Sequence, residues 1–116
     1  MNTAGSPEAL AQEQLDAYNA HDANRFCAVY ADDVQVFRLP SPEPFLVGLP
    51  ALRTHYANNR FNLPQLHADL LGRMVMGNKV IDHERVHGVR PEPFEAVAIY
   101  ECAEGLIRRV WFVDPQ

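Results

Sequence analysis

His83-Glu84-Arg85-Val86-His87 spells H-E-x-x-H, the arrangement that binds zinc in metalloproteases. That chemistry requires a helix, where residues four apart share a face about one turn apart. Here the five residues follow Gly77-Asn78 and Val80-Ile81 and end at Gly88, which is the context of a turn and a strand. Four residues of strand span about 13 Å, so His83 and His87 cannot share one ion there. No metal site and no cofactor is expected.

The strand reading sets up a different chemistry. With Gly77-Asn78 as a two-residue turn, Met76 pairs with Lys79, Val75 with Val80 and Arg73 with Asp82. Counting by twos, one face then carries His67, Asp69, Arg73, Asp82, Glu84 and Val86, and the other carries Ala68, Leu70, Ile81, His83 and His87. Desolvation raises the pKa of a buried carboxylate and a nearby cation lowers it. Asp82 and Glu84 beside Arg73 are therefore the candidate acid–base groups, with His67 as their partner. A one-residue change in the turn swaps the faces and brings His83 inward, so His83 is a further candidate. The plain structural alternative is that Arg73 and Asp82 form a cross-strand pair at an interface.

These residues need elements to hold them. Ser6-Pro7-Glu8 starts a helix, along which Ala11, Leu15 and Tyr18 recur on one face until Asn19-Ala20-His21 breaks it. Asp22 caps a second helix that turns Phe26, Val29 and Tyr30 inward, and Asp32-Asp33 opens a strand over 34–38. Pro40, Pro42 and Pro44 make a loop or frayed edge, followed by a very short strand at Phe45-Leu46-Val47. Pro50 starts a third helix that ends near Arg60, with Leu52 and Tyr56 one turn apart. After Leu66 everything reads as strand: 66–76 and 79–89 flank Gly77-Asn78, and 94–102 and 106–113 flank Glu104-Gly105. The second turn sets Glu101 opposite Arg108. Trp111 and Phe112 point to opposite faces, and Trp111 is counted with Tyr18, Tyr56 and Arg73 as a ligand contact.

Helices segregated from a long antiparallel sheet define an α+β fold. Because such a sheet twists, it can curl round the helices and leave a cavity. Both sheet faces mix apolar and ionisable residues, so each needs a cover. Helices cover one, and a second copy in a two-fold dimer is expected to cover the other.

The chain has 116 residues, 47% of them hydrophobic, which makes one domain over 1–116. Net charge is −5, Lys79 is the only lysine and the arginines are scattered, so neither nucleic acid nor a membrane surface is an expected partner. No apolar run approaches a membrane span, and the first residues lack the basic and apolar regions of a secretory signal. Cys27 and Cys102 are isolated thiols, read as reduced, buried cysteines of a cytoplasmic protein.

Ala17-Tyr18-Asn19-Ala20-His21-Asp22, with Ala31-Asp32-Asp33-Val34 after it, resembles the SnoaL-like and ketosteroid-isomerase-like branch of the nuclear-transport-factor-2-like superfamily. Gly48 before Leu52-Arg53-Thr54-His55-Tyr56-Ala57-Asn58 is similar to the third helix of the bacterial isomerases, and Gly105-Leu106-Ile107 to the last hairpin turn. The resemblance implies a cone, a curved mixed or antiparallel sheet wrapped on three helices around an apolar pocket. It also implies a homodimer through the outer sheet face, and a lid at Pro40–Pro44 beside the mouth.

The isomerase chemistry does not transfer with the fold. The resemblance puts the base at or near Arg38, the oxyanion tyrosine at about Gln14 and the second oxyanion donor at about Ala98, and keeps only Tyr56, with Tyr30 as a second tyrosine. Ketosteroid isomerisation is therefore not expected. The same resemblance puts Asp82, Glu84 and Val86 on positions that line the pocket. The reading is a cofactor-free enzyme moving a proton on a small hydrophobic carbonyl compound, as in isomerisation, dehydration or cyclisation. Asp82 or Glu84 is the base, His67 or His83 its partner, and Tyr56 or Arg73 steadies the oxyanion. The alternative is a non-catalytic ligand-binding or structural dimer.

Overall fold

Ser6 caps the first helix through its side chain, which accepts a hydrogen bond from the Ala9 N–H at 3.2 Å. We describe residues 5–113 of a computed structural model; residues 1–4, on which the expectation of no secretory signal partly rests, and 114–116 lie outside the described residues. The elements in chain order are α1 (Pro7–Asn19), α2 (Ala23–Cys27), β1 (Tyr30–Arg38), β2 (Pro44–Val47), α3 (Leu49–Asn59), β3 (His67–Met76), β4 (Lys79–His87), β5 (Phe94–Ala103) and β6 (Leu106–Val113). The six strands form one curved sheet in the order β2-β1-β6-β5-β4-β3, parallel between β1 and β6 and antiparallel elsewhere. The three helices pack on its inner face, where Phe26, Leu52, Val34, Val36, Val80, Ile107 and Val110 are fully buried. This is the α+β cone.

The motif at the end of α1 fastens that helix to the sheet edge. The Asn19 side chain donates to the Ala68 carbonyl at 3.0 Å and accepts from the Ala68 N–H at 2.8 Å. His21 Nε2 lies 2.9 Å from the Leu66 carbonyl. Asn19 thus satisfies backbone groups of β3, which as an edge strand has no neighbour on that side, and His21 meets the residue just before it.

Three details differ from the sequence reading, each for a physical reason. The second helix ends at Cys27 and β1 begins at Tyr30 rather than Val34, because Tyr30 pairs with Ile107 and the Ile107 N–H bonds the Val29 carbonyl at 2.8 Å. Phe26, Val29 and Tyr30 are still buried. In β6 an irregularity leaves Arg108 without a partner on β5: Cys102 pairs with Ile107 but Glu101 with Arg109. Arg108 instead reaches Asp33 at 2.7 Å, and Glu101 meets Arg109 at 3.4 Å, so the expected Glu101–Arg108 pair does not form. Finally, β4 stops at His87. Gly88 has φ +84°, and a Cβ there would lie 2.3 Å from the backbone of Gln65, so the chain crosses at a point only glycine tolerates.

The β3–β4 hairpin keeps the expected register next to its turn: Met76 pairs with Lys79, Val75 with Val80 and Arg73 with Asp82. Further from the turn the register shifts, with Gly72 opposite His83 but Leu70 opposite Glu84. Leu71 is the extra residue of a β-bulge, which reverses the facing of everything before it. Among the described residues no helix is long and apolar enough to cross a membrane.

Candidate functional site

The inner face of the sheet and the helices α1 and α3 enclose a cavity of about 220 Å³. Its acid comes from β4, where alternation turns Val80, Asp82, Glu84 and Val86 inward and His83 and Arg85 outward. Asp82 has no exposed surface, and Arg73 grips both of its oxygens, Nε to Oδ1 at 2.7 Å and Nη2 to Oδ2 at 3.0 Å. Arg73 Nη1 donates to Gln12 Oε1 on α1 at 2.9 Å. This fork-to-carboxylate geometry is the strong kind of ion pair, and it engages both oxygens of Asp82. Neither Asp82 nor Arg73 lines the cavity.

Glu84 is different. No described residue donates a hydrogen bond to it, yet no fully buried side-chain oxygen among the described residues lacks a partner, so its carboxyl faces the cavity. Burial, reinforced by the charge of Asp82 and opposed by Arg73, pushes this carboxyl from 4.5 up to about 7. Tyr56 and Tyr100 line the cavity with it, and burial holds both phenols above their ordinary value, so they stay protonated and able to donate. Tyr18, also in the lining, is pushed up to about 12 by burial.

Tyr30 donates to Gln14 Oε1 at 3.5 Å and the Gln14 amide donates to the Ala11 carbonyl at 3.1 Å. The side chain at the implied oxyanion-tyrosine position is therefore occupied. Ala98, at the implied second-donor position, is buried without lining the cavity. Arg38, at the implied base position, does line it. Arg60 and Arg90 line it too, with His55, Phe45 and Phe94.

Of the residues read from the sequence, the structure brings Glu84, Tyr18 and Tyr56 together in the cavity and moves three others out. The bulge at Leu71 sends His67 to the outer face, where it lies 2.9 Å from Asp69 Oδ1, and gives its inward place to Ala68. His83 is also outside, because the turn keeps its two residues, and it pairs with Glu95 at 2.6 Å. Trp111 stacks on Phe37 at 5.6 Å on the outer face, since Val110 pairs inside with Val36 and Tyr100, and Phe112 lines the cavity instead. His83 and His87 both sit on a strand, and among the described residues no three His, Cys, Asp or Glu side chains are placed to hold a metal ion.

Tyr100, Arg60 and Arg90 were not foreseen. Tyr100 was within reach: once Glu84 pairs with Ala96, counting by twos along β5 turns Tyr100 inward. Arg60 and Arg90 follow helix and strand ends, where no period says which way a side chain points.

The fold and cavity define a cone protein with one deep acid and a ring of tyrosines. The chain belongs to the SnoaL-like domain family, whose pattern matches residues 11–110. A solved cystatin-fold protein from Novosphingobium aromaticivorans is 25% identical with a TM-score of 0.81, covering 92% of this chain and 97% of that one. A candidate ketosteroid isomerase from Kribbella flavida is 21% identical, TM-score 0.78, over 100% and 82%. A candidate polyketide cyclase from Sinorhizobium meliloti is 19% identical, TM-score 0.76, over 89% and 92%. The last two show the fold alone. No curated protein matches the chain.

Two stability predictions follow from these burials. Arg73→Met leaves the buried Asp82 carboxylate unpaired and is expected to cost about 3–5 kcal/mol at pH 7. Equal denaturant midpoints for variant and wild type at pH 7 would show the pair to be solvated.

Glu84 gives the wild type a pH dependence of its own. Its folded pKa of about 7 exceeds the ordinary 4.5, so the folded state holds a proton the unfolded state has released. Stability is then full below pH 4.5 and is lost as pH rises through 7, by about 3 kcal/mol in all. Glu84→Gln does not titrate, so its stability relative to wild type should climb by about that amount from pH 4 to pH 8; a flat difference curve refutes the shift.

Proposed function

We propose that this chain is a cofactor-independent acid–base catalyst that moves a proton on a small carbonyl compound, in an isomerisation, dehydration or cyclisation, with Glu84 as the proton carrier. The observation that supports this most is the placement of Glu84: a carboxyl facing the cavity with no protein partner and titrating close to neutrality. A group poised near the working pH is populated in both forms, so it takes a proton from carbon and gives one back. The step itself is simple. Glu84 removes a proton from the carbon next to the carbonyl, and charge develops on the carbonyl oxygen. Tyr56 and Tyr100 are donors already in the lining, in a setting that water shares little, where a hydrogen bond to that oxygen is worth most. Arg73 and Asp82 act beneath Glu84 as positioning residues.

A second reading, ligand binding without chemistry, is favoured by Arg38, a guanidinium in the lining where the isomerases are expected to carry their base. Deuterium uptake separates the two. Wild type in D₂O should exchange the protons beside the carbonyl of cyclic ketones, with an apparent pKa near 7, and Glu84→Gln should exchange them about 100-fold or more slowly. Equal exchange by the variant, or none by wild type across the panel, favours the binding reading.

The outer face supports assembly with a second copy. Phe37, Trp111, Ile99, Ile81 and Met74 are successive cross-strand partners, so an apolar row crosses five strands of that face. Charged pairs flank it, His83 and Arg85 with Glu95 on one side and Lys79 and Arg109 with Glu101 on the other. An apolar row with a polar rim is the anatomy of a two-fold interface. Wild type should sediment at twice the chain mass and Ile99→Glu at the chain mass; a wild-type monomer at micromolar concentration refutes the dimer. Cys27 and Cys102 are free and buried, which suits a reducing compartment such as the cytoplasm.

A further inference from the structure

We propose that the ligand of this cavity carries a carboxylate, held at the mouth by Arg60, Arg38 and Arg90 while its carbonyl-bearing apolar body reaches inward to Glu84. The proposal rests on the reading of Glu84 as the proton carrier and adds the class of substrate. It starts from a mismatch of charge. The chain is acidic overall, at −5, yet its cavity gathers three guanidinium groups from three separate elements: the end of β1, the C-cap of α3 and the loop after β4.

Among the described residues, the lack of an acidic partner sets these three apart. Arg25, Arg73, Arg85, Arg108 and Arg109 each have a carboxylate oxygen within 4 Å. Arg53 donates to Asn24 Oδ1 at 2.9 Å. Among the described residues Arg38, Arg60 and Arg90 have no carboxylate partner, and all three line this cavity. The carboxyl in the lining, Glu84, is buried while Arg38 and Arg90 are exposed, so it sits deep and does not neutralise the mouth. His55, beside them, is held below its ordinary value by burial and then by the charges of Arg60 and Arg38, as expected in an uncompensated positive field.

Their geometry suits a planar anion. The Arg38 guanidinium lies 3.9 Å from the Phe45 ring centroid, and that of Arg90 lies 3.9 Å from the Phe94 ring centroid. Stacking occupies the face of a guanidinium and orients it, while its in-plane N–H groups stay free to fork onto a carboxylate. Arg60 spends one nitrogen on the Asn59 carbonyl at 2.8 Å and also hydrogen-bonds the Tyr18 phenol, which leaves part of its five N–H donors for an anion. Orientation follows from repulsion. A carboxylate turned inward would meet Glu84 and, beneath it, Asp82, whereas turned outward it meets three cations. The substrate class is therefore a keto acid or unsaturated oxo acid with a short apolar body, entering with its carboxylate trailing.

The test uses 3-benzoylpropionate and its neutral counterpart 3-benzoylpropionamide, with binding by calorimetry and exchange of the protons beside the ketone in D₂O. The acid should bind about tenfold or more tightly than the amide, and added NaCl should erode that advantage. Arg60 is half-buried, so Arg60→Gln should remove most of the advantage. Arg90 is exposed, so Arg90→Gln should weaken the acid about threefold and leave the amide unchanged. Because Arg90 lies in a loop, this variant keeps the test open if Arg60→Gln fails to fold. Equal binding of acid and amide, no acid binding up to about 10 mM, or tighter binding of phenyl phosphate each overturns the carboxylate assignment. Glu84→Gln tells the two readings apart: if the acid binds but wild type and variant exchange alike, recognition stands and proton transfer falls. If amide and acid bind and exchange equally in wild type and only Glu84→Gln stops the exchange, proton transfer stands and recognition falls.

Discussion

A carboxylate with no exposed surface cannot remain charged without a partner, and Asp82 obtains its partner from one place, the fork of Arg73 at 2.7 and 3.0 Å. Much else is arranged around that requirement. The Gly77-Asn78 turn must keep two residues for Arg73 to stand opposite Asp82. The third arm of the guanidinium holds Gln12, so the same side chain ties α1 to the hairpin. Asn19 and His21 tie the far end of α1 to Ala68 and Leu66. One helix is thus pinned at two points along one edge strand, and the space left between them is the cavity. Removing Arg73 alone would strand that charge at a cost of about 3–5 kcal/mol, a large share of the roughly 5–15 kcal/mol that holds a domain together.

The pair also sets the chemistry of its neighbour. Two residues along β4, Glu84 faces the same way as Asp82 and feels its charge, with Arg73 cancelling only part of it. Had Arg73 turned to Glu84 instead, Glu84 would be a satisfied ion pair and Asp82 an untenable buried charge. Because the fork is spent on the deeper acid, the shallower one is left unpartnered, desolvated and close to neutral in its titration. One arginine in one place thus bears on the state of both acids.

The sequence showed the architecture more clearly than the site. Hairpin turns at Gly77-Asn78 and Glu104-Gly105 and the alternation along β4 are local signals, and the structure repeats them; which face of β4 turns inward was implied only by the resemblance. What escaped is what local patterns do not encode. A bulge at Leu71 leaves no mark on hydrophobic alternation, since Leu70 and Leu71 are both apolar and both exposed, yet it decides that Ala68 rather than His67 faces inward. The same holds for Arg108, whose displacement breaks the expected pair with Glu101. Arg60 and Arg90 become neighbours of one cavity only when loops from distant parts of the chain close over it.

With Arg38 at the mouth and Glu84 in the depths, the cavity has a fixed electrical polarity, positive outside and acidic within. A neutral ketone has no reason to enter one way round, because apolar contact is non-directional. A charged end removes that freedom, since turning it inward sets like charges together in a poorly solvated space. Orientation matters more here than affinity. Proton abstraction requires the reacting carbon to sit against one carboxyl, and a misplacement of about 1 Å can cost about a hundredfold in rate. An arginine on the last inward position of β1 would be useless as a base. As the outer anchor of the proposed ligand, whose other end would meet Glu84, it would supply the alignment that one acid cannot provide alone.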